Sequence, residues 1–347
     1  MAMYGYELGH HAPGITGQGY KAAHNMIKAH AAAYNIYQKE FQDSQNGQVG
    51  LAVETSWALP RSQSLPGDWA AQDRKFAFDF DWFVDPVLLD GEYPDVMRRE
   101  VSLRSREQNL FQSRLPVFTD VERNMIRGSA DFLGISYYTT NLVEERRHND
   151  DTAQPSIIDD RAITESVNAS MTSTNSPWLH VYPKGIRMVL RRVKQRYGNI
   201  PVYVTGNGVS DKPGTTDDTD REEYMKSHTN EVLKALQLDG VDVRGYMAYS
   251  LIDIFEWNDG YSVAFGLYYV NFTDPNRARQ AKTSSVYYRS LIRDNGFFKP
   301  TTPVITTTSK PKVIIRHECP PSSTVVVMTS PICLLTSVIV MLFMYHK

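Results

Sequence analysis

An α/β fold on a parallel sheet is predicted by three features of this chain. Segments with the 3.6-residue period of an amphipathic helix alternate with short apolar runs of strand type, the pattern of successive β/α units. The composition is globular, 41% hydrophobic, 22% charged and 11% aromatic over 347 residues. Beyond the alternation there is no internal repeat.

Taken in order, Tyr20 to Phe41 is read as a helix, with Met26, Ile27, Ala31 and Tyr34 at helical spacing. Val49 to Val53 is a short strand, and a helical region begins at Phe76 and runs to Leu89. Phe132 to Tyr138 is the second strand. Lys184 to Tyr197 is amphipathic, with Ile186, Val189, Leu190 and Val193 on one side and Arg191, Arg192 and Lys194 on the other. Val202 to Val204 is the third strand. Asp220 to Gln237 is a helix whose acidic opening residues suit its positive end. Val243 to Leu251 is the last strand and Ser285 to Asp294 the closing helix. The sum is four β/α units.

Several functions are excluded early. A formal net charge of −2 gives no electrostatic footprint for nucleic acid, whose binders carry clustered positive charge. The nine His are scattered, and adjacent His10 and His11 lack ligand spacing, so no metal is expected. No phosphate-binding glycine loop surrounds Gly206-Asn207-Gly208, no Ser or Cys sits in a nucleophile elbow, and no cofactor is expected.

Five stretches carry a resemblance in order along the chain: Tyr6-Glu7-Leu8-Gly9-His10-His11-Ala12-Pro13-Gly14; Trp82-Phe83-Val84-Asp85-Pro86 with Gly91-Glu92-Tyr93-Pro94; Asp131-Phe132-Leu133-Gly134-Ile135-Ser136-Tyr137-Tyr138-Thr139; Val204-Thr205-Gly206-Asn207-Gly208; and Ser250-Leu251-Ile252-Asp253-Ile254-Phe255-Glu256-Trp257 with Phe265-Gly266-Leu267. They resemble family 1 glycoside hydrolases, the β-glucosidase and lactase-phlorizin hydrolase group that also includes klotho-like proteins. The resemblance implies a TIM (β/α)8 barrel, present as roughly its C-terminal half. It also implies hydrolysis of β-glucosides or β-galactosides through a glycosyl-enzyme, and carbohydrate metabolism. In the resembling motif I/V-T-E-N-G the Glu is the nucleophile; here that position is Gly206. The acid/base Glu of the family lies in an N-E-P motif upstream of the G-x-H-A-P-G stretch, before Met1. Retaining hydrolysis needs two carboxyls about 5–5.5 Å apart, so this chain is expected to be catalytically dead, a pseudoenzyme or a fragment. The other reading is a non-catalytic, klotho-like membrane protein that binds a sugar or a protein partner.

The remaining site residues follow from the same resemblance. Glu256 and Trp257 match the pair that holds the 4- and 6-hydroxyls and packs the non-reducing sugar, and Tyr249 stands where a Trp stacks on the sugar. Tyr138 matches the tyrosine that hydrogen-bonds the nucleophile, with core packing as the competing reading. Trp178 resembles the tryptophan lining the aglycone entrance, again against plain packing. Ser136 and Ile254 each replace an Asn, and Ala264 stands where Arg is usual. A β-glycoside or glycan is therefore the expected ligand.

The C-terminus reads as a membrane anchor. Thr324 to Tyr345 is 22 residues without a charge, roughly 33 Å as a helix and long enough for a bilayer core. The expected organisation is a barrel part over 1–300, a Thr/Pro/Lys-rich linker over 301–323, a span over 324–345 and a short tail at 346–347. Topology is pulled two ways. Lys310, Lys312 and Arg316 precede the span and Lys347 follows it, which favours a cytosolic body. The sequons at Asn168 and Asn271 favour glycosylation and an extracellular body. An N-terminal part carrying a signal peptide resolves the conflict in favour of the extracellular body.

Overall fold

The computed structural model describes residues 1–146 and 156–297. The anchor, linker and tail expected over 301–347 lie outside the described residues. Among the described residues no helix is long and apolar enough to cross a membrane.

Helix α1 (Gly19–Glu40) buries Tyr20, Ala23, His24, Ile27, His30 and Ala31, one face at three- and four-residue spacing. Strand β1 (Gly50–Glu54) is buried along nearly its whole length, as a parallel strand covered on both faces should be. A helical stretch then starts at α2 (Pro66–Phe76), passes through a π-helical turn at Ala77–Asp81 and ends with Trp82–Leu88. The expectation of a start at Phe76 was ten residues late. Pro66 opens the helix at a position where its missing N–H costs nothing. Arg74 and Lys75 are charged yet buried: Lys75 is wholly inside, paired with Asp79 and with Glu165 at 3.1 Å.

Strand β2 (Phe132–Ser136), helix α3 (Lys184–Tyr197), strand β3 (Val202–Asn207), helix α4 (Thr219–Gln237), strand β4 (Val243–Ala248) and helix α5 (Thr283–Asp294) complete the alternation. The four strands pair in parallel in chain order, β1 to β2 to β3 to β4. This sequential order is that of a TIM-type barrel wall. The last strand stops at Ala248 rather than Leu251, because the chain turns there into the loop that carries Glu256.

Helix α3 buries Ile186, Val189, Leu190 and Val193 as expected, and ends at Gly198, whose φ of 74° only glycine adopts freely. Its basic face is less solvated than the pattern implies. Arg192 forms a two-pronged pair with Asp81 (2.8 and 2.6 Å), and Arg196 joins Asp85. The Tyr197 hydroxyl lies 2.7 Å from both carboxylates and shares its one proton between them. These contacts fix α3 to the helical stretch after β1. Several elements had no counterpart in the sequence reading, among them helices Asp95–Glu107 and Asp120–Ile126 and a small sheet of Trp57–Pro60, Thr140–Glu145 and Ile163–Ser166. In that sheet β1 and β2 continue beyond the barrel wall after brief interruptions.

Candidate active site

Residues at the C-terminal ends of parallel barrel strands converge on one mouth. Here Glu54 ends β1 opposite Ser136 at the end of β2, and Ser136 lies opposite Gly206 near the end of β3. Aligned partners in a parallel sheet face the same way, so Glu54, Ser136 and position 206 share one face.

Gly206 is buried, and its missing side chain does not leave simple space. A Cβ built there would lie 2.6 Å from the Tyr138 hydroxyl and 2.9 Å from Ser136 Oγ. Two hydroxyls thus occupy the room a side chain needs. Next in the strand, Asn207 is fully buried and spends its amide on structure: Nδ2 donates to Tyr137 O (2.6 Å) and Tyr224 Oη (3.0 Å), while Oδ1 accepts from Tyr246 Oη at 2.8 Å. Gly208 is required by close approach, since any side chain would overlap the Tyr249 carbonyl.

A second apolar cluster forms around this row: Tyr138, Leu179, Val209, Tyr224, Val263 and Phe265, with Trp178 and Tyr249 packed against it. Tyr138 meets Tyr249 edge-on at 5.8 Å and Trp178 edge-on at 6.1 Å between ring centroids. Burial pushes the Tyr138 hydroxyl well above the usual phenol range, and Glu54 and then other neighbours including Glu256 push it further.

Glu256 is a deeply buried carboxylate of the site, 3% exposed. The Tyr249 hydroxyl donates to its Oε2 at 3.2 Å, and its backbone N–H donates to Gly260 O at 2.6 Å. Oε1 is buried and accepts no hydrogen bond from the described residues. Burial, with Asp253 and Asp259 nearby, moves its pKa up to about 7. Asp253 anchors the same loop, accepting from Gly266 N (2.9 Å), Val270 N (3.3 Å) and Lys282 Nζ (2.9 Å). Trp257 adopts a positive φ of 47° and is 38% exposed, its ring edge-on to His11 at 5.9 Å.

The structure therefore brings Gly206, Tyr138, Tyr249, Trp178 and Glu256 together, with Trp257 beside them at the rim. Asn168 and Asn271 lie in exposed turns outside this cluster. Sequence reasoning missed Glu54; its signal was a carboxylate as the last residue of a barrel strand. Ala264, where Arg was expected, offers its carbonyl to Arg221, which reaches it from α4 at 2.8 Å. Among the described residues no group of His, Cys, Asp or Glu is arranged to hold a metal ion.

The sequence model described as Glycosyl hydrolase family 1 matches residues 1–297. The chain belongs to this family. It is 42% identical over 305 residues to the human lactase-like protein, covering 86% of this chain and 53% of that protein. It is 40% identical over 301 residues to the cytosolic beta-glucosidase of Cavia porcellus, covering 85% and 63%. A rice beta-glucosidase structure superposes with a TM-score of 0.77 at 34% identity, covering 84% of this chain and 63% of that one. A family 1 beta-glucosidase of the fungus Humicola insolens, solved in complex with glucose, gives 0.75 at 31%, with 84% and 63% covered. The chain thus spans 53% and 63% of the lengths of these two curated family 1 relatives.

Proposed function

We propose that this chain is a glycoside-binding member of family 1 that holds a β-glucoside or β-galactoside without cleaving it. The observation that carries the reading is Gly206, where the resembling motif has its nucleophile and where this chain has two neighbouring hydroxyls and no carboxylate. A covalent glycosyl-enzyme needs an attacking oxygen at that position, and backbone supplies none. Binding groups support the other half of the reading. The free acceptor on Glu256 suits a ligand hydroxyl, and the rings of Tyr138, Tyr249, Trp178 and Trp257 suit the C–H faces of a pyranose.

The test is titration of the purified chain with an aryl β-glucoside, following ligand resonances for binding and the released aryl alcohol for turnover. Saturable binding without release is expected. Turnover, or a covalent sugar adduct, overturns the catalytic half of the proposal; absence of saturable binding overturns the other half. We further propose that Thr324 to Tyr345 anchors the protein in a membrane with its body on the extracellular side. Alkaline extraction and protease protection test this, and release into the supernatant refutes the anchor.

A further inference from the structure

Asn168-Ala169-Ser170 and Asn271-Phe272-Thr273 lie on unrelated loops and fold alike. In the first, Ser170 donates its backbone N–H (3.0 Å) and its hydroxyl (2.8 Å) to Asn168 Oδ1. In the second, Thr273 donates its N–H (3.1 Å) and hydroxyl (2.8 Å) to Asn271 Oδ1. Each triplet closes into an asparagine turn whose amide oxygen takes two hydrogen bonds. The amide nitrogen of each donates to no described residue, in contrast to Asn207, whose nitrogen is committed twice. Ser170 and Thr273 are exposed and both asparagines partly so. At the second site Phe272 rests on the Tyr261 ring (4.3 Å between centroids) with the Arg277 guanidinium 5.9 Å away.

We propose that Asn168 and Asn271 are both acceptor sites for an N-linked oligosaccharide. The turn spans three consecutive residues, so it can form while the rest of the chain is unfolded. Its exposure lets the folded body carry a bulky, solubilising group afterwards. The donor is a lipid-pyrophosphate-linked oligosaccharide. Asn Nδ2 forms a bond to the sugar's anomeric carbon and loses a proton, the bond from that carbon to the pyrophosphate oxygen breaks, and the lipid pyrophosphate leaves with the electron pair. No oxidation or reduction is involved. The proposal is independent of any hydrolytic or binding role for the pocket.

The full chain, fused behind a cleavable signal sequence, is translated in the presence of microsomes, and the protease-protected product is analysed before and after an amidase that cuts the Asn–sugar bond. Two amidase-sensitive mobility steps are expected. Ser170→Ala should remove one and Thr273→Ala the other, while Ser170→Thr keeps both. Protected chain without steps overturns the proposal, as do steps indifferent to both alanine variants; a single step overturns it for the site that lacks it. Because transfer accompanies translocation, a variant that fails to fold later still reports.

Discussion

Replacing Glu256 by Gln isolates the energetics of the buried carboxylate in the pocket. Glu256 is 3% exposed and its folded-state pKa is about 7, against the 4.5 usual for a glutamate in water. Folding therefore favours the protonated form. Between these two values the folded state keeps a proton that the unfolded chain has released, so stability falls as pH rises through this window and is constant above it. A shift of this size corresponds to roughly 3 kcal/mol. Glutamine keeps the shape and the acceptor for the Tyr249 hydroxyl but cannot ionise, so the variant lacks this slope. Other buried acids, such as Asp85 and Asp160, shift in both proteins alike, and their contributions cancel in the difference. Urea unfolding at about pH 5 and about pH 8 supplies the measurement. Relative to wild type, Glu256→Gln should be more stable at the higher pH than at the lower by about 2.5 kcal/mol, the rest of the shift being already lost at about pH 5. A stability difference unchanged between the two conditions would refute the reasoning, because it would mean that the carboxylate ionises as freely in the folded protein as in water.

Gly206→Ala places a methyl group against the Tyr138 hydroxyl and Ser136 Oγ and should destabilise by about 1–3 kcal/mol; in a Tyr138→Phe background the cost should drop, with a coupling above about 0.5 kcal/mol in the double-mutant cycle. Asp253→Ala strips the wholly buried Lys282 of its partner at 2.9 Å, so unfolding measurements should show a loss of about 3–5 kcal/mol. Burial holds His228 at a pKa of about 3, with Nδ1 on the Tyr224 carbonyl. Its contribution is complete above the usual histidine range and is lost as pH falls toward about 3. Wild type should therefore lose a few kcal/mol more than His228→Phe on acidification below about pH 6.5.

Legibility followed the period of the pattern. Helix α3 matches its expected bounds because Ile186, Val189, Leu190 and Val193 mark one face and Gly198 ends it. The strands were legible as apolar runs because both faces of a barrel wall are covered, as the burial of β1 shows. Helix α2 was not, since Arg74 and Lys75 are charged yet buried by pairs that long-range folding supplies. The small sheet was hidden for a similar reason: Trp57–Pro60 pairs with a segment some eighty residues away, and neither strand is long enough to show its own alternation. Glu256 and Gly206 were found through motifs. Glu54 was passed over because only the register with Ser136 and Gly206 reveals what it faces.

On the proposed reading, placing a nucleophile at position 206 takes more than one substitution. The Tyr138 hydroxyl stands 2.6 Å from where the first carbon of a glutamate side chain would go, closer than a Cβ contact allows. That tyrosine is held by Tyr249 and Trp178 on its ring and by the Tyr224 hydroxyl on its carbonyl at 3.2 Å. Gly206→Glu must push the Tyr138 hydroxyl and Ser136 Oγ aside within a buried cluster, and overpacking of that kind costs about 1–3 kcal/mol. Reversion should therefore need a paired change at Tyr138 or Ser136, and a Gly206→Glu protein whose unfolding midpoint equals that of wild type would show that the pocket had kept room for the carboxylate after all.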